Sequence, residues 1–182
     1  LTMTKAYQAE ALAKNQPLLL LHGGDAWQGS GYFKLNEGMA NAELLSQFGL
    51  DAMALGNHEF DLDTQKLARF SQGVNFPVLA ANLDSHADPD LSRASNLKPF
   101  VIYAFDGNQK SPVTDLDHLP ADKQLVAVIG LVLEDMANIS PNVGKLRFAK
   151  EVASAQATVD LLQARGIQRI VALTHIGNAR DL

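Results

Sequence analysis

The stretch Ala52-Met53-Ala54-Leu55-Gly56-Asn57-His58-Glu59-Phe60-Asp61 joins a short apolar run to a glycine and then to a dense polar motif. An apolar run this short, closed by a glycine, reads as a buried strand, because a helix needs more residues to hold together. Polar side chains just past the carboxyl end of such a strand stand where ligands gather in open α/β sheets. The stretch therefore predicts a layered α/β architecture and the location of a site. The same arrangement recurs on both sides of it. Leu18-Leu19-Leu20-Leu21 runs into Gly24-Asp25-Ala26-Trp27-Gln28-Gly29-Ser30, and Ile170-Val171-Ala172-Leu173 runs into Thr174-His175-Ile176-Gly177.

Outward from these motifs, apolar residues at helical spacing predict helices over 3–14, 39–48, 64–70 and 152–165. Strands are predicted over 18–22, 52–55, 78–81, 100–105, 125–132 and 170–173. The polar stretch 84–98 reads as a loop, and 106–123 as a hairpin-like excursion. Strands alternating with helices argue for one layered α/β domain over residues 1–182. The first residue is Leu1, and the sequence stops at Asp181-Leu182 with no element completed, so both ends read as cut.

Bulk composition narrows the function classes. The 182 residues are 47% hydrophobic and 19% charged, ordinary for a globular domain. A net charge of -5 argues against nucleic-acid backbones as partners. No apolar run approaches the roughly 20 residues that a membrane-spanning helix needs. Cysteine is absent, which excludes disulfides, thiolate metal sites and a cysteine nucleophile.

The polar residues of the motifs form a donor set of carboxylate, amide oxygen and imidazole: Asp25, Asn57, His58 and His175. That mixture suits Zn, Mn, Co, Fe or Ni better than an ion that seeks thiolates. A carboxylate such as Asp25 is able to bridge two cations, and a pair about 3.5–4 Å apart polarises a phosphoryl group and turns bound water into hydroxide. His58 then serves to protonate a leaving oxygen or to bind developing charge. Asp61, three residues on, is in reach to orient the imidazole, although it stands equally well as the cap of the helix at 64–70. His22, at a strand end, reads as a packing or supporting residue. Trp27 reads as a shaper of its loop, with base stacking as the alternative. His86, His118, Arg93, Arg147 and Arg180 read as solvated surface groups.

Gly24-Asp25, Gly56-Asn57-His58-Glu59 and Thr174-His175-Ile176-Gly177, in this order, resemble the calcineurin-like metallophosphoesterases. The longer forms Gly24-Asp25-x-x-Gln28-Gly29-Ser30 and Gly56-Asn57-His58-Glu59-Phe60-Asp61 are similar to those of the 5'-nucleotidase branch. So are the segments Asn75-Phe76-Pro77-Val78-Leu79-Ala80-Ala81-Asn82 and Val126-Ala127-Val128-Ile129-Gly130-Leu131. The resemblance implies a β-sandwich flanked by helices on both faces, incomplete here at both ends. It implies two divalent metal ions, with Asp25 as the bridging ligand and Asn57 and His175 on the second ion. It makes His58 the catalytic histidine and Asp61 its partner. The implied reaction is hydrolysis of phosphate monoesters, most of all nucleoside 5'-monophosphates or related nucleotides, by a metal-bound hydroxide.

Relatives of this kind are periplasmic or extracellular and carry a further C-terminal domain that grips the nucleoside. The family's upstream Asp-x-His and downstream Gly-His-x-His motifs are not in this sequence, so the chain alone is expected to fold but not to turn over substrate. Hydrolysis of cyclic nucleotides or UDP-sugars, a catalytically silent binding module, and a nucleic-acid exonuclease are the rival readings. Acidity disfavours the exonuclease, and retention of the full motif set disfavours the silent module.

Overall fold

A computed structural model describes residues 1–181 of the chain, so Leu182 lies outside the described residues. The strands are β1 (Leu21–His22), β2 (Ala52–Ala54), β3 (Val78–Leu79), β4 (Leu83–Asp84), β5 (Leu97–Lys98), β6 (Phe100–Asp106), β7 (Gln109–Pro112), β8 (Gln124–Val132), β9 (Arg147–Phe148) and β10 (Arg169–His175). The helices are α1 (Thr2–Ala13), α2 (Gly31–Asn36), α3 (Met39–Ser46), α4 (Thr64–Gly73), α5 (Met136–Ile139), α6 (Glu151–Ala164) and α7 (Asn178–Asp181).

Two sheets stack face to face. One is wholly parallel, in the order β1-β2-β3-β5. The other runs β10-β8-β6-β7, with β10 parallel to β8 and the remaining neighbours antiparallel. A small antiparallel pair, β4 with β9, lies outside both.

The alternation of side chains along β6 and β8 builds this sandwich. Val101, Tyr103 and Phe105 of β6 and Val128 of β8 face the parallel sheet, where they bury against Ala52 and Leu79. The intervening residues Ile102, Ala127 and Ile129 point the other way, onto Leu162 of α6 and Ile167. This is the period-two logic of a strand with both faces covered. On the outer side of the parallel sheet, Met53 and Val78 pack with Phe33 of α2, Ala42 of α3 and Leu67 and Phe70 of α4. The two sheets touch most closely where a Cβ at Gly130 would collide with the backbone of Leu79. Ala81 donates its N–H to Gly130 O there at 2.7 Å. The sandwich flanked by helices that the family resemblance implies is the observed architecture.

The structure corrects several boundaries. The strand expected over 18–22 pairs only at Leu21 and His22. Before that point the chain is held by side chains instead of a ladder. Asp51 Oδ2 accepts Leu20 N–H at 2.7 Å, and Lys110 Nζ donates to Asp51 Oδ2 at 2.6 Å and to Leu18 O at 2.7 Å. The loop expected over 84–98 contains β5, fixed by Asn96, whose amide donates to Phe76 O at 2.6 Å and Ser71 O at 2.9 Å. Helix α2 was not expected from the sequence. Helix α1 forms where expected but buries no residue. No helix among the described residues is long and apolar enough to cross a membrane.

Candidate active site

The Gly24 and Gly56 loops leave the ends of β1 and β2 side by side, and their glycines let the backbones meet. A Cβ on Gly24 would sit 2.6 Å from Gly56 N, and one on Gly56 would sit 2.6 Å from Asp25 N and collide with the Asp25 carboxylate. Gly24 (φ 97) and Asp25 (φ 58) are both in the left-handed region, a conformation costly for a residue with a side chain. The buried Glu59 carboxylate ties the loops together. It accepts N–H groups from Asp25 at 2.9 Å, Ala26 at 2.6 Å, Trp27 at 3.2 Å and Gly56 at 2.6 Å. Burial pushes the Glu59 carboxyl above its ordinary value, while these N–H groups pull it back.

Asp25 then meets residues from both other motifs. Its Oδ1 accepts the His58 N–H at 3.0 Å, and its Oδ2 lies 3.2 Å from His175 Nε2. The other nitrogen of His175, Nδ1, is 2.6 Å from Gly23 O. A carbonyl oxygen only accepts, so Nδ1 must carry a proton. In the neutral ring Nε2 is consequently a bare lone pair facing a carboxylate oxygen. That arrangement is repulsive without a proton or a cation between the two atoms. A separation of 3.2 Å is what two donors each about 2.1 Å from one ion would span. The donor chemistry therefore fits a divalent cation.

Asn57 leads directly into the short 3₁₀ turn His58–Phe60, half-buried, and its side-chain amide makes no hydrogen bond among the described residues. Among the described residues, no group of three or more His, Asp or Glu side chains is placed to hold a metal. His22 Nδ1 accepts the Gly24 N–H at 3.2 Å. Burial lowers the His22 pKa, against the opposing charge of Asp25, and the neutral ring supports the Gly24 turn.

His58 Nδ1 lies 2.9 Å from Asp61 Oδ2, and Gln28 Nε2 donates to the same oxygen. From behind, Asn142 Nδ2 donates to Asp61 O at 2.8 Å and Ser140 Oγ to Phe60 O. The capping alternative for Asp61 is thereby set aside. The cap of α4 is Asp63, which accepts the Lys66 N–H at 2.9 Å. A groove of about 750 Å³ opens beside Asp61, lined by Gln28, Ser30, Phe33 and Lys34 among others.

Four further candidates find their places. Trp27 is 2% exposed and packs at 5.6 Å against both Phe33 and Phe70, so it shapes its loop from the core and has no face free for a base. His86 and His118 pair with Asp84 and Asp115 in solvent. Arg180 is no free surface charge, since it bridges Asp135 at 2.7 Å and Glu151 at 2.9 Å. Sequence reasoning gave no role to Glu59 or Gln28, although both lie inside the quoted motifs. An acidic residue between a glycine-bounded strand and Phe60 was the available sign that Glu59 is buried.

No family model matches the chain. The 5'-nucleotidase of Diplobatis ommata is 32% identical over 173 residues, which are 94% of this chain and 27% of that protein. The crystal structure of a 5'-nucleotidase precursor from Thermus thermophilus superposes with a TM-score of 0.81 at 32% identity, covering 98% of this chain and 32% of the other. Over nearly its whole length the chain is similar to 5'-nucleotidases. A second relative of known structure, an NAD nucleotidase of Haemophilus influenzae, is 30% identical with a TM-score of 0.77, over 97% of this chain and 32% of its own. The chain thus spans about a third or less of these three relatives.

Proposed function

We propose that residues 1–182 form part of one catalytic domain of an enzyme that hydrolyses phosphate monoesters of nucleotides, nucleoside 5'-monophosphates foremost, with divalent cations. The observation that carries this is His175, whose Nδ1 is engaged by Gly23 O while its Nε2 faces Asp25 Oδ2 at 3.2 Å, in a chain whose relatives are 5'-nucleotidases. Asp25, Asn57 and His175 would hold one ion, and Asp25 would also reach a second. Bound there, divalent cations supply positive charge that polarises a phosphoryl group and eases ionisation of water.

The rest of the chemistry belongs to this chain's side chains. Asp61 accepts from His58 Nδ1, which fixes the tautomer and leaves Nε2 for the substrate. In its doubly protonated form the imidazole hands a proton from Nε2 to the leaving oxygen or binds charge on the phosphoryl oxygens. Gln28, bonded to the same Asp61 oxygen, restrains the carboxylate. The groove beside Asp61 is the space into which the leaving nucleoside extends. By the same family argument the protein works outside the cytoplasm.

The test is phosphate release from AMP by the full-length protein, with and without Mn²⁺, beside His58→Ala. Turnover that requires Mn²⁺ and falls in the variant supports the proposal. Turnover indifferent to both Mn²⁺ and His58 refutes it.

A further inference from the structure

Glu59 lies inside the Gly56-Asn57-His58-Glu59 motif, yet it does not line the groove and is 0% exposed. Three successive residues, Asp25, Ala26 and Trp27, turn their N–H groups onto its carboxylate, and Gly56 adds a fourth from the neighbouring loop. Successive N–H groups converging on one point form an anion-binding nest. Here the anion is built into the chain. The first residue of that nest is Asp25, held at φ 58. A non-glycine residue in this region costs roughly 1–3 kcal/mol and persists only where its surroundings over-determine it.

The four hydrogen bonds to Glu59 are that determination. With the Asp25 backbone fixed, its carboxylate has one oxygen on the His58 N–H and the other opposite His175 Nε2. We propose that Glu59 is a positioning residue: an internal anion that locks the Gly24-Asp25 loop in the shape that captures a divalent cation, without touching the ion. This rests on the assignment of Asp25 as a metal ligand made above.

The two oxygens of Glu59 divide the donors. Oε1 takes Ala26 and Trp27, and Oε2 takes Asp25 and Gly56. In Glu59→Gln one of these oxygens becomes an NH₂ group facing two N–H groups, so either orientation loses two hydrogen bonds and the charge. Glu59→Asp keeps the charge but is one methylene too short to reach both pairs.

The experiment is titration of the full chain with MnCl₂ by calorimetry, for the wild type, Glu59→Gln, Glu59→Asp and Asp25→Asn, with amide hydrogen exchange on each metal-free protein. Supporting partners of metal ligands are commonly worth 10- to 100-fold in affinity. Glu59→Gln is expected to weaken Mn²⁺ binding by about that factor, and Glu59→Asp by less. In both, the Asp25, Ala26, Trp27 and Gly56 amides exchange faster while those of β8 do not change. Should Glu59→Gln fail to fold, Glu59→Asp carries the test. A folded variant at either level with wild-type Mn²⁺ affinity overturns the positioning role, even if the four amides loosen. A wild type that binds no Mn²⁺, or an Asp25→Asn that binds as well as wild type, overturns instead the metal assignment on which the role rests.

Discussion

Three histidine–aspartate pairs in this chain have nearly the same contact and wholly different settings. His58 meets Asp61 at 2.9 Å, His86 meets Asp84 at 2.8 Å and His118 meets Asp115 at 2.7 Å. The imidazoles of the last two are 97% and 84% exposed, whereas that of His58 is 36% exposed. His86 and His118 are paired within their own loops, among residues that solvent reaches. The His58–Asp61 turn is instead pinned by Gln28, Ser140 and Asn142 from two separate segments, and the His58 N–H rests on Asp25. A short contact between two groups is thus cheap to make on a surface. What distinguishes the candidate site is convergence of distant segments on one rigid place.

That contrast breaks first at His58. His58→Ala is expected to lower kcat for AMP by about 10²- to 10⁴-fold, with Mn²⁺ affinity little changed, because the proposed role is proton donation and charge stabilisation. Equal loss of Mn²⁺ binding in a calorimetric titration would move His58 into the ligand set. Asp61→Ala comes next, at roughly 10- to 100-fold in kcat, since the imidazole remains but loses its orienting partner. A loss as large as that of His58→Ala would mean that Asp61 acts on the substrate directly.

Asp63→Ala sharpens the separation between the two neighbouring aspartates. Loss of a helix cap costs about 1 kcal/mol, read as a lower denaturation midpoint with metal affinity unchanged. Hydrogen bonding from the Lys66 side chain, then from its N–H, holds the Asp63 carboxyl below its ordinary value of 3.8. A carboxyl lowered in the folded state contributes stability that is full above the unfolded value and disappears as pH falls through the folded one. The wild type and Asp63→Ala are therefore expected to converge in stability below that range. The smallest effect is expected at the exposed pairs. His86→Ala and His118→Ala should leave kcat unchanged and shift stability by no more than about 0.5 kcal/mol.

The sequence made the layered α/β fold legible because its strands alternate or bury wholly, as in β6 and β8, and because three polar motifs follow three strand ends. It did not make α2 legible, since Gly31-Tyr32-Phe33-Lys34-Leu35-Asn36 begins with a glycine and leaves Tyr32 and Leu35 exposed. Strand β5 escaped because two residues carry no period, and its place is set by the distant Asn96 contacts. At the site, the residue types and their positions after strand ends could be read directly. The division between Asp61 and Asp63 could not, because both precede α4 and only the fold decides which one turns toward His58. The hydrogen-bond network of Glu59 was also out of reach, since three of its four donors lie more than thirty residues away in sequence.

The measurement closest to the central claim is anomalous diffraction from crystals grown with MnCl₂, collected near the manganese edge. The account predicts a peak within about 2–2.5 Å of an Asp25 carboxylate oxygen, His175 Nε2 and the Asn57 amide oxygen, the ordinary range for such donors. A peak elsewhere on the molecule, or none at saturating Mn²⁺, would contradict it.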